Sequence, residues 1–495
     1  MDGQRRSATW RTIICMFARA LKRKQMKDQP RQVLITVGIG TFLSALAGSV
    51  VNLALPSIAR EMSLSLVAAQ WVVQAFLLAN AVLLLPVGRL GDLVGYGRLY
   101  KIGFVLFGTS TLVSGMAQTF GVLIAARVVQ GVSGAMVMAT GPAIIMGAVP
   151  PARRGRALGV LATATYLGLT LGPPLGGFVI ASLGWRWAFF LSTIASLVVI
   201  ALAFCCLNQG EKATGERFDW SGALILIVGL PAVLSWLSRL DQRDLSQPLT
   251  WIGVVVALIG FAFFVAIEWK SANPLIDPRL FQSRIFTGAV LSAVANYIAL
   301  FNISLLMPFF LEEGRGDSPD VAGLLLSMQP LTMAFFATPS GWLSDRIGSR
   351  LPTTAGMLVL AAGLFGASTL DGESLRVEIL LWLAVIGLGT GVFISPNSSA
   401  LMGSAPKERQ GTAGAVLAEA RIAGMLLGVA AASLIFRGAG GRTGSPWRLT
   451  DFAAFALVLR VGSVIALLGA AAAALRGGSR GEVRAPASSR SSRRN

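Results

Sequence analysis

Apolar residues fall into fourteen runs separated by short polar stretches, at about residues 33–55, 67–88, 99–117, 121–148, 156–183, 187–207, 220–238, 250–268, 285–311, 321–343, 352–370, 378–402, 411–436 and 453–475. Each run is near or above the roughly 20 residues that a helix needs to cross the hydrocarbon of a bilayer. A chain in lipid must satisfy its own backbone hydrogen bonds, so runs of this kind form helices. The pattern predicts an all-α polytopic membrane protein with 14 transmembrane helices.

The fifth run carries residues that weaken helices, in the stretch GLTLGPPLGG from Gly168 to Gly177. Gly168, Gly172 and Gly176 recur every fourth residue, so on a helix they form one smooth ridge on which another helix packs at backbone distance. Pro173 removes one backbone hydrogen bond and bends the helix, which a membrane bundle tolerates where neighbours re-satisfy the freed carbonyl.

An even number of spans puts both chain ends on one side. The tails and the loops after even-numbered runs, with Lys101 and Arg156 at run edges counted to them, hold 30 Lys and Arg, the loops after odd-numbered runs only 9. By the excess of cations on the cytoplasmic side, both termini are expected in the cytoplasm and the chain in the plasma membrane. Residues 1–31 form a basic N-terminal segment in which Trp10, Ile13, Ile14, Phe17 and Leu21 lie opposite Arg19, Lys22 and Arg23 on a helix. This reads either as an amphipathic helix on an anionic membrane face or as a disordered basic tail. The tail 476–495 is poor in apolar residues and is expected to be disordered.

Composition acts mainly by exclusion. With 54% hydrophobic and 13% charged residues, the chain has more apolar side chain than a soluble core needs. The net charge of +19 sits in loops and tails as an orientation signal, and no basic soluble domain is present to bind nucleic acid. Cys15, Cys205 and Cys206 give no disulfide or zinc pattern, and the absence of histidine removes imidazole as ligand, base or proton carrier. With no phosphate loop either, an enzyme, a metal site, a cofactor and ATP drive are not expected.

The chain echoes itself. Gly88-Arg-Leu-Gly-Asp92 with Gly95 after the second run matches Gly341-Trp-Leu-Ser-Asp345 with Gly348 after the tenth. Pro150, Arg153 and Gly155 after the fourth run match Pro406, Arg409 and Gly411 after the twelfth. This predicts two six-helix halves, 32–207 and 284–475, with two inserted transmembrane helices in 208–283 and a substrate path between the halves.

The string Gly168-x-x-x-Gly172-Pro173-x-x-Gly176-Gly177 resembles the antiporter motif in the fifth helix of the major facilitator superfamily. GRLGDLVGYGR at 88–98 resembles that family's loop between helices 2 and 3, and Arg127-Val-Val-Gln130-Gly131 its fourth-helix motif. Trp185-Arg186-Trp187, Phe218-Asp219-Trp220-Ser221-Gly222 and Pro274-Leu275-Ile276-Asp277 are further similar strings. Over about residues 33–475 the chain is similar to the fourteen-span drug:proton antiporters, the multidrug efflux transporters of that superfamily. The resemblance implies that Asp92, with Gly88, Gly95, Arg98 and the echoing Asp345, holds a cytoplasmic gate, and that Arg127 takes part in proton transfer. Leu93, Tyr96 and Gly97 stand where basic residues are usual, which weakens the gate loop. The plainer readings are a loop that fixes topology and an arginine bonded to backbone carbonyls.

The main departure lies in the first run, where LAGSVVNLALP at 46–56 matches the family's motif but Ala47 replaces an expected membrane-embedded aspartate. On the run boundaries above, Glu419 is the one carboxylate deep within a span, with Arg421 and Arg460 as possible ionic partners. It is the candidate proton carrier, or else a member of a packing ion pair. Polar and aromatic candidates for lining the path are Asn52, Gln70, Gln74, Gln130, Tyr166, Asn296, Tyr297, Asn302, Gln329 and Asn397. The expected function is export of small amphipathic compounds against protons, with a small-molecule substrate, protons and the lipid bilayer as partners. The alternatives are a uniporter or importer with other coupling, and a non-transporting receptor of the same fold.

Overall fold

A computed structural model describes residues 2–150, 154–207, 278–406, 410–442 and 447–476. Within them 12 helices are long and apolar enough to cross a membrane. They are α1 (Asp2–Glu61), α2 (Leu66–Val94), α3 (Tyr96–Met116), α4 (Phe120–Ala148), α5 (Arg154–Leu183), α6 (Trp185–Cys206), α7 (Arg284–Phe309), α8 (Pro319–Ile347), α9 (Arg350–Ala367), α10 (Arg376–Ser404), α11 (Gln410–Gly438) and α12 (Leu449–Leu475). Each matches one apolar run. The runs at 220–238 and 250–268 and the tail 477–495 lie outside the described residues. The first span, Pro30–Glu61, is the end of the longer helix α1, so the basic N-terminal segment continues into it without a break.

Local chemistry sets the helix ends. The Ser65, Thr119 and Ser283 side chains accept from the N–H groups of Ala68, Val122 and Phe286, capping α2, α4 and α7. The repeated loop glycines end equivalent helices: Gly95 closes α2 at φ 100° and Gly348 closes α8 at φ 84°. Both conformations are costly for any residue with a Cβ, which is why glycine recurs at this point of the echo.

Helix packing repeats six helices apart. In the first half α1 packs on α5 and α6, α4 on α2 and α3, and α3 on α6; in the second, α7 packs on α11 and α12, α10 on α8 and α9, and α9 on α12. The glycine ridge explains one of these contacts. Cβ atoms added at Gly168, Gly172 and Gly176 would meet Ala45 Cβ at 2.9 Å, Leu46 O at 3.1 Å and Val50 Cγ1 at 2.7 Å, so the ridge of α5 is seated on α1. Gly424 and Gly428 do the same for α11 on α7, where added Cβ atoms would meet Val294 O and Ile298 O at 2.7 Å each. Lipid tails give helices no hydrophobic reason to associate, so such close backbone approach supplies the cohesion through dispersion.

The halves meet where α5 packs along α8, α2 along α11 and α1 against α7. One buried core joins them, from Leu53, Leu55 and Ile58 of α1 to Leu306, Phe309 and Phe310 of the second half. Toward the opposite face the first half has a separate core of its own, built from Val33, Val37, Tyr100, Phe104, Val137 and Ile145. The seal between the halves is therefore at the face where α1 ends, called here the Arg60 face.

Candidate transport path between the halves

Three layers close the Arg60 face. First, α5 presents a second surface to α8: a Cβ on Gly323 would collide with the Pro173 carbonyl, and one on Gly177 with the Pro319 carbonyl. Second, Arg60 in the last turn of α1 donates from Nη2 to Glu312 Oε2 at 2.8 Å, across the two halves. Its neighbour Glu61 turns the other way, accepting from Trp185 Nε1 at 2.7 Å and pairing with Arg186 inside the first half. Third, Asn52 Nδ2 reaches Ser304 Oγ of α7 at 3.5 Å.

Below this seal, polar groups from both halves converge. Tyr166 of α5 stands within electrostatic range of Tyr297 of α7 and Arg421 of α11. The half-buried Arg421 donates from Nη2 to Ser398 Oγ of α10 at 2.9 Å and forms no ion pair among the described residues. Glu419, two residues earlier, is separated from Arg421 by about 200° around the helix. Gly424 and Gly428 are turned onto α7, so Glu419 lies on the far side of α11 from that contact. Its Oε1 is buried without a hydrogen-bond partner. Arg460 is exposed and donates from Nε to Ser368 Oγ at 3.4 Å, so neither arginine is paired with Glu419.

The remaining expected site residues divide by surroundings. Arg127 is 2% exposed and belongs to the first half alone. It donates from Nε to Val72 O at 2.7 Å, pairs through Nη1 with the Gln130 side chain, and lies 4.7 Å over the Phe76 ring. No carboxylate stands beside it among the described ion pairs. Asn296 donates to Met357 Sδ at 3.5 Å, Asn302 to Gly428 O at 2.8 Å, and Asn397 to Ala289 O at 2.9 Å, each within the second half. Asn397 also accepts from the buried Arg476, at 2.9 Å. Gln70 and Gln74 are buried in α2, Gln70 with an unpartnered Oε1, and Gln329 is half-buried in α8. At the gate loops Arg98 and Asp345 are exposed, a Cβ added at Gly88 would lie 3.9 Å from Ala139 Cβ, and the Asp92 side chain lies outside the described residues. Ala47 is 5% exposed, so no polar group occupies that point of α1.

Glu312 and its partner Arg60 are an ion pair between the halves that run boundaries concealed. The ninth run ends at Leu311 on hydropathy, whereas the structure continues α7 through a π-helical turn, Phe310–Gly314, in which Glu312 and Glu313 are buried. Two consecutive carboxylates directly after Phe309-Phe310-Leu311, with no loop residue between, were the available signal.

Comparison with known proteins follows the same outline. Residues 37–269 and 289–494 match the Major Facilitator Superfamily. The chain is 32% identical over 405 residues to the riboflavin transporter RibZ of Clostridioides difficile, covering 82% of this chain and 88% of that one. It is 32% identical over 398 residues to the multidrug resistance protein Stp of Mycobacterium tuberculosis, covering 80% and 74%. Among solved structures, a bacterial homologue of the human lysosomal transporter Spinster, crystallised inward-facing and unoccupied, superposes with a TM-score of 0.68 at 16% identity, covering 91% of this chain and 97% of that one. At that identity the likeness concerns the fold.

Proposed function

Because the chain belongs to the Major Facilitator Superfamily, a family of membrane transporters and not of enzymes, we propose that it exports small amphipathic, drug-like compounds across the plasma membrane by proton antiport. In this reading 208–283 supplies two further spans, giving fourteen, and both termini are cytoplasmic. The observation that carries the reading is the double use of α5: its glycine ridge holds it to α1, while Pro173 and Gly177 close on Gly323 of α8. A helix fixed to its own half and closing at backbone contact on the other suits rigid-body rocking, the motion that alternating access requires. The multidrug resistance protein at 32% identity supports drug-like substrates.

Substrate would enter between the halves below the Arg60 seal and meet Tyr166, Tyr297 and Arg421. Glu419, half-buried on α11 with one buried, unpartnered oxygen, takes the proton role left open at Ala47. A second reading, an importer or uniporter, is favoured by the same Ala47 and by a relative named as a riboflavin transporter. Extrusion of a panel of cationic, neutral and anionic amphiphiles from expressing cells tests the export reading. Faster loss of one charge class than in control cells supports it; net uptake of a compound by the expressing cells favours the importer.

A further inference from the structure

We propose that Glu312 is a proton-binding site whose protonation releases the Arg60 face. The inference rests on the alternating-access reading above and adds to it the group that opens the sealed side. The sealed state holds one direct ion pair between halves among the described residues, Arg60 Nη2 to Glu312 Oε2 at 2.8 Å. The pair is asymmetric: the arginine side chain is 50% exposed and the carboxylate 1%. Glu312 Oε1 is buried and has no hydrogen-bond partner. A carboxylate held this way is stable as an ion only while the guanidinium stays in place, and a single proton on it removes the attraction.

The π-helical turn makes this contact possible. One extra residue in the turn re-aims the side chains that follow Phe309, and the turn is held by Arg315 N–H to Phe310 O at 3.0 Å and Asp317 N–H to Leu311 O at 2.9 Å. Behind it, Phe310 stacks on Phe455 at 4.7 Å between ring centroids and meets Trp447 and Phe452 edge-on, so the turn is fixed to the second half. The tie to the first half is then the part free to break.

Most other charges around Glu312 among the described residues are already engaged or belong to the same turn. On α1, Glu61 is held by Trp185 and Arg186. Glu313 is next to Glu312 in the turn and adds negative charge beside it. Arg315 and Arg376 share Asp317, and Asp451 of α12 accepts from the backbone of Arg442 and Arg448. Asp320 starts α8. Arg60 is thus the cation that Glu312 depends on. The step is simple in its balance: the carboxylate gains a proton from the compartment on the Arg60 face, the guanidinium remains charged and turns to water, and the two halves lose their ionic tie.

The test is pulsed electron–electron distance measurement on the full chain in lipid nanodiscs. Nitroxides are placed at Gln118→Cys and Leu449→Cys, exposed positions of the two halves clear of the pair, with Cys15, Cys205 and Cys206 replaced by serine. The wild-type pair should shift from a short to a long distance on acidification. Glu312→Gln should show the long distance at every pH, and the exchange Arg60→Glu with Glu312→Arg should restore the short one in alkali. A wild-type distance indifferent to pH, a reading that needs no variant, would overturn the proposal, as would a short, pH-responsive distance in Glu312→Gln. If the distances respond as expected while reconstituted protein moves no substrate, the latch stands and the export reading falls.

Discussion

Gly323 of α8 lies on Pro173 of α5 at backbone contact: a Cβ on Gly323 would overlap the Pro173 carbonyl and stand 3.2 Å from the Gly177 Cα. Both obstacles are backbone atoms, so neither can swing aside. The two glycine contacts of α5 then predict two different phenotypes. Gly172→Leu drives α5 off α1 within one half and should lower yield and Tm. Gly323→Leu leaves each half intact and burdens only the sealed state, by about 1–3 kcal/mol for overpacking, a shift of roughly 5- to 150-fold between the two states. Cysteine accessibility at the Arg60 face should rise and export should fall, with Tm near wild type. Pro173→Ala, which only removes a bend, should be milder than either leucine variant. Equal Tm losses in the two leucine variants would mean that the interface between halves is not separable from the packing within them.

Glu419→Gln should abolish export driven by a pH gradient while substrate binding and downhill exchange persist. The expectation comes from a buried carboxylate oxygen with no partner and no ion pair to Arg421 or Arg460. Ligand affinity is read by tryptophan quenching and coupling by uphill flux. Retained uphill flux in Glu419→Gln would reduce the residue to a packing role.

Arg421 and Arg460 should separate cleanly. Arg421 stands within electrostatic range of Tyr166 of the other half, with Ser398 as its hydrogen-bond partner among the described residues, so Arg421→Ala should weaken anionic substrates relative to cationic ones. Arg460, exposed with one long contact to Ser368, should change stability by about 0.5 kcal/mol or less on replacement by alanine. Competition assays with a matched anion and cation, together with thermal melts, check both.

Arg127→Met should be a stability variant. It strips Val72 O and Gln130 of their buried donor, at about 1–3 kcal/mol for each polar group left unsatisfied. Arg127→Lys should recover only part of this, because an ammonium cannot serve both acceptors and also lie flat on Phe76. A wild-type Tm in Arg127→Met with loss of transport alone would instead assign this arginine to the transport cycle.

Much of the architecture was legible because the bilayer imposes a length and an apolar pattern on every span. All twelve membrane-length helices among the described residues lie on predicted runs, and Gly95 and Gly348, matched in the echo, end equivalent helices, both with positive φ. The ridge at Gly168, Gly172 and Gly176 was readable as a close contact, but its partner was not: one-dimensional spacing cannot distinguish α1 from α8. Gly424 and Gly428 carry the same four-residue spacing in α11, without the proline that marks the ridge of α5. Asn296, Asn302 and Asn397 were expected to line the path, and the structure has each hydrogen-bonding inside the second half. Glu312 was hidden by hydropathy, since the charges that end an apolar run also mark where a loop usually begins. Only a helix that continues past them, as α7 does, puts such carboxylates in the interior.

Proton-driven export is tested by purified protein in liposomes with an imposed pH gradient. Protein inserted with its termini outward should concentrate a fluorescent amphiphile inside liposomes whose lumen is acidic. The accumulation should collapse when an ionophore dissipates the gradient and should vanish in Glu419→Gln. Accumulation of the same size with no gradient, or none in either direction while counterflow of the compound proceeds, would contradict it.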